Sequence, residues 1–100
     1  MEFQLVSVSK LRKMLEQRSI WSRMHSGKLL AVEQNSTPSK VSDGGTSYII
    51  SYYDEHHQYV CTIHRIVTKE GKTIHEHPKD AYIDGVRYNT KLIRRGKKNA

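Results

Sequence analysis

Residues 47–91 read SYIISYYDEHHQYVCTIHRIVTKEGKTIHEHPKDAYIDGVRYNTK, and this run decides the fold. Tyr48, Ile49, Ile50, Tyr52 and Tyr53 have the β-branched and aromatic texture of a strand, and 59–67 is a second, longer one. Asp54, Glu55, His56 and His57 form the reversal between them. Residues 69–72 supply the next reversal, leading into a strand at 73–77 that Pro78 limits. Asp84-Gly85, set between Ala81-Tyr82-Ile83 and Val86-Arg87-Tyr88, is the two-residue signature of a tight hairpin. The run therefore predicts an antiparallel meander.

Upstream, the period changes from two to about 3.6. Leu11, Met14, Leu15, Trp21 and Met24 give residues 9–24 one apolar stripe, so a single amphipathic helix is expected there. Ser7 or Ser9 is placed to cap it and Gly27 to stop it. Lys10, Arg12, Lys13, Gln17 and Arg23 lie largely off the stripe as a basic, solvated face. Residues 3–8 read as a short strand before the helix. After a short apolar run at 29–32, residues 35–46 are rich in Ser, Thr, Asn, Gly and Pro and read as a mobile loop. A hairpin stack this small needs a packed partner. The expected fold is thus α+β, one N-terminal amphipathic helix packed on an antiparallel β-meander. It forms a single small domain over 1–93, with a basic frayed tail at 94–100.

The chain has 100 residues and a formal net charge of +7, which favours polyanionic partners, nucleic acid first. Cys61 is the only cysteine, so an intrachain disulfide and a multi-thiolate zinc site are both excluded. A reducing cytoplasm fits that usage. Glu2 at the start, without an apolar run behind a basic segment, argues against a signal peptide, and no segment approaches the length of a membrane span. Within Tyr59-Val60-Cys61-Thr62-Ile63 the thiol reads as a buried, inert one.

All six tyrosines and all but one of the six histidines fall in 47–91. His75 and His77 share one side of a strand and are the residues that would hold a metal, with Asp80, Asp54 or His64 completing the set. Exposed histidines on a sheet are common, so no metal and no cofactor is the expectation. His64 and His75 are the acid–base candidates of a metal-independent ribonuclease, which also needs a cation for the phosphorane, such as Arg65 or Arg87. Binding without chemistry needs rings for bases and cations for phosphates. Tyr48, Tyr52, Arg65, Tyr82, Arg87, Tyr88 and Lys91 are the expected surface, with Arg65, Arg87, Tyr88 and Lys91 as the leading contacts.

Residues 51–55, His64-Arg65, His75-Glu76-His77-Pro78-Lys79-Asp80 and Asp84-Gly85 together resemble the small TumE-type toxin proteins of toxin–antitoxin modules. The chain lacks the dense histidine-proline cluster that those proteins carry after the second strand. The resemblance implies an RNA- or translation-directed toxin held inactive by a partner. Two functions are therefore expected as alternatives: a cytoplasmic RNA-binding protein of toxin-like type, or a homodimeric protein-interaction module with no nucleic-acid role.

Overall fold

The computed structural model describes residues 2–90; the tail at 94–100 and Lys91 lie outside the described residues. The element order is β1 (Glu2–Leu5), α1 (Val8–Gln17), α2 (Ile20–His25), β2 (Leu30–Pro38), β3 (Thr46–Tyr53), β4 (Tyr59–Val67), β5 (Thr73–Ile83) and β6 (Val86–Asn89). All six strands form one sheet in the order β1-β6-β5-β4-β3-β2. Strands β2 to β6 are an antiparallel meander, but β1 joins β6 in parallel, with Phe3 opposite Arg87 and Leu5 opposite Asn89. The expected fold of one helix on a meander is therefore corrected to a six-stranded mixed sheet with two short helices, 50% strand against 18% helix.

The helix divides for a reason that lies in its phase. From Leu15 the next positions on the same face are 18 and 19, and these are Arg18 and Ser19. A continuous helix would carry Ile20 and Met24 away from the stripe. Ser19 instead takes a left-handed φ of 62°, and the chain restarts as α2 with Ile20 and Met24 turned back into the core beside Leu11 and Leu15. Ser7 caps α1 by accepting from the Lys10 amide at 3.1 Å.

Two further readings change. Asn35, Ser36, Thr37 and Pro38 belong to β2, paired with β3, so the connection is only 39–45. The Ser39 hydroxyl accepts from the amides of Val41 and Ser42, both at 3.1 Å. A Cβ on Gly45 would meet the Val67 carbonyl oxygen at 2.7 Å, so the loop closes against β4 only with glycine there. Pro78 does not end its strand: β5 runs through it, because the register against β4 shifts between Thr62 and Ile63 at that place. Proline is tolerated beside a bulge, where its missing N–H breaks no ladder bond. Asp84 and Gly85, both at positive φ, make the expected hairpin turn.

The helices lie on one face, where Leu11, Leu15, Ile20 and Met24 pack with Ile50, Tyr52, Cys61, Ile63, Ala81 and Ile83. Cys61 is fully buried, its Sγ 3.5 Å from Met24 Sδ. Burial first, then the charge of Asp80, pushes the thiol pKa up to about 12. In native protein the thiol is therefore expected to react with a disulfide reagent only as fast as the domain opens, and at once in denaturant. Rapid labelling of folded protein would contradict that placement. Among the described residues no helix is long and apolar enough to cross a membrane.

Candidate functional site

Side chains alternate across the sheet, and no helix or strand covers its second face among the described residues. Two polar clusters lie on that face. At one end β4 and β5 set His64 directly opposite His77, and the period of two brings His75 alongside. Ring centroids are 4.9 Å apart for His64 and His77, 4.7 Å for His75 and His77 and 6.0 Å for His64 and His75. One ligating atom from each of the three lies within 4.8 Å of the others. His77 Nδ1 and His75 Nε2 share a hydrogen bond of 2.9 Å, and the Ser47 hydroxyl on β3 meets His64 Nε2 at 2.6 Å.

Burial, then the nearby charges of Lys79 and His75, holds the His64 pKa below the ordinary histidine value. Both effects favour the neutral imidazole, which can take a proton or a cation. Neither alternative third ligand joins the cluster. Asp54 accepts from the turn amides of His56 (2.8 Å) and Gln58 (2.9 Å), and its pKa is lowered chiefly by the Gln58 bond.

Asp80 is the centre of the second cluster. Only 7% exposed, it accepts from Tyr59 Oη at 2.7 Å, Arg87 Nε at 2.6 Å and Asn89 Nδ2 at 2.8 Å. Because the Tyr59 proton goes to Asp80, Tyr59 accepts from Thr62 at 2.7 Å, and Thr62 accepts from Ser51 at 2.9 Å. This directed chain crosses β3, β4 and β5 and ties them at their middle. Burial pushes the Tyr59 phenol pKa well up, so it stays a donor. The Arg87 guanidinium lies 4.9 Å over the Tyr59 ring, and Tyr53 meets that ring edge-on at 5.9 Å. Gln58, Tyr59, Tyr82 and Arg87 line an open hollow of about 390 Å³.

The binding residues expected from sequence are divided between the two faces. Tyr82 and Arg87 share the uncovered face. Arg65 is on the helix side, donating to Glu76 at 2.6 Å and to the Tyr52 hydroxyl at 2.9 Å. Burial pushes the Glu76 carboxyl up, but bonds from His25 and Arg65 outweigh it and hold the pKa below the usual carboxylate value. Tyr48 and Tyr88 pack against the core, and Lys91 is outside the described residues. The acid–base candidates His64 and His75 are brought together, with Lys79 as the positive charge acting on His64.

Tyr53, Tyr59, Asp80, Asn89 and Ser47 complete the two clusters, and only the strand register assigns them. A register shift between Tyr52 and Tyr53 places Tyr53 opposite Tyr59. No family model, curated protein or solved structure matches the chain.

Proposed function

We propose that the protein binds single-stranded RNA across the uncovered sheet face. The observation that carries this reading is the hollow in which the rings of Tyr59 and Tyr82 stand with the Arg87 guanidinium, on a face that no helix covers among the described residues. Unpaired bases stack on such rings, whereas paired bases are already stacked on each other. Asp80 holds Arg87 through its Nε, and the Arg87 side chain remains 40% exposed. The toxin-like role implied by the resemblance adds cleavage, with His64 and His75 exchanging the protons of the reaction.

A second reading rests on a separate observation. Phe3 and Leu5 at one edge of the face and Leu30 and Val32 at the other are all exposed, at 52%, 45%, 54% and 37%. Apolar side chains in that arrangement also suit a second copy of the chain.

Anisotropy titrations with short single-stranded RNA, duplex RNA and duplex DNA, with the RNA products examined afterwards, separate these readings. Tight binding to the single strand is expected, weakened by about 1–3 kcal/mol in Tyr82→Ala, the cost of losing one stacked base. Tyr82 is 41% exposed, so the variant keeps its fold. Absence of RNA binding at low salt, together with a dimer by light scattering, would replace this reading with the second. New RNA ends that disappear in His64→Ala and His75→Ala would establish the chemistry.

A further inference from the structure

We propose that His64, His75 and His77 form a binding site for a divalent transition-metal ion of the zinc, copper or nickel type, independently of any role in RNA binding. The backbone assembles it. β4 and β5 are inner strands paired on both sides, so the Cα positions of the three histidines are fixed by ladders rather than by a loop. A tetrahedral ion with bonds of about 2.0–2.1 Å needs donors about 3.3 Å apart. The three donors lie within 4.8 Å of one another, and ring rotation about the side-chain torsions covers that difference.

The hydrogen bonds point the same way. His75 Nε2 and His77 Nδ1, 2.9 Å apart, share one proton, and a cation between them takes the place of that proton. The Ser47 hydroxyl lies 2.6 Å from His64 Nε2; when that nitrogen donates to it, Nδ1 presents the lone pair to an ion and Ser47 serves as the outer partner of the ligating ring. Three imidazoles leave a fourth position for water or another ligand. Beside it Thr37, Lys40, Val41, Ser47, His64 and Ile66 contribute to a hollow of about 270 Å³.

Donor chemistry selects the ion. All three donors are imidazole nitrogens with no carboxylate among them, so a cation held by simple charge attraction is disfavoured. Magnesium and calcium require oxygen ligands, whereas neutral imidazole suits zinc, copper and nickel.

The test uses untagged full-length protein stripped with a chelator and titrated with zinc by calorimetry and with cobalt by visible absorption. One zinc per chain and the intense d–d bands of four-coordinate cobalt are expected. His64→Ala, His75→Ala and His77→Ala should each weaken zinc at least about tenfold. The double variant His56→Ala/His57→Ala, altered only in an exposed turn, should bind as the parent does. His75 is itself exposed, so its alanine variant folds and keeps the test decisive. Absence of saturable binding, or binding that persists in His75→Ala and His77→Ala or follows His56 and His57, overturns the site. RNA is absent throughout, so this result and that of the RNA titration stand separately.

Discussion

Ile63→Ala is expected to lower the stability of the domain by about 2–5 kcal/mol, read as a fall in the urea midpoint with an unchanged slope. Ile63 is fully buried and sits mid-strand in β4, opposite Ile50 on one side and Pro78 on the other. Truncation to Cβ removes apolar surface from the place where α1, α2 and three strands meet, and the ladder bonds of inner strands oppose collapse into the cavity. Against a typical total of about 5–15 kcal/mol, such a loss leaves a folded but strongly weakened protein. Ile74→Ala provides the contrast: Ile74 is 46% exposed, and its loss should stay within about 0.5 kcal/mol. Equal effects at the two positions would mean that Ile63 does not occupy the core.

Local features of the fold were legible because neighbouring residues determine them. Ser7 at the helix start and Asp84-Gly85 at the last hairpin needed only their own side chains and φ preferences. The β1–β6 pairing was not legible, since Glu2–Leu5 and Val86–Asn89 come from opposite ends of the chain and a parallel pair leaves no turn between them. The helix break is visible in retrospect as the polar pair Arg18-Ser19 at positions a continuous stripe would fill. Pro78 misled because its usual penalty vanishes beside a bulge.

The site was half legible for the same reason. Period two alone places His75 and His77 together, but only the β4–β5 register selects His64 over Asp54 and Asp80 as their neighbour. Face assignment across strands failed where bulges intervene. Arg65 and Arg87, expected on one surface, are on opposite sides of the sheet, each held by a carboxylate of its own: Glu76 for Arg65 and Asp80 for Arg87.

If the protein binds RNA as proposed, those pairings bear on which cations would hold the phosphates. All five arginines among the described residues are in ion pairs, Arg12 with Glu16, Arg18 with Asp84, Arg23 with Glu55, and the two just named. Residues 1–90 hold 12 basic against 10 acidic side chains, whereas 91–100 hold Lys91, Arg94, Arg95, Lys97 and Lys98 with no acid, five of the seven net charges. Replacing these five by Gln is therefore expected to weaken single-stranded RNA binding about a hundredfold near physiological salt. The slope of log affinity against log salt should flatten by about 3.5, at about 0.7 per phosphate contact. Tyr82→Ala should differ in kind, lowering affinity with the salt slope intact, because stacking releases no counterions. If the fivefold variant kept both affinity and slope, the phosphates would have to be held by lysines of the sheet domain, and the division between a stacking face and a separate cationic segment would fall. Loss of slope with retention of weak, single-strand-selective binding would place base recognition on the sheet and charge attraction on the segment that follows it.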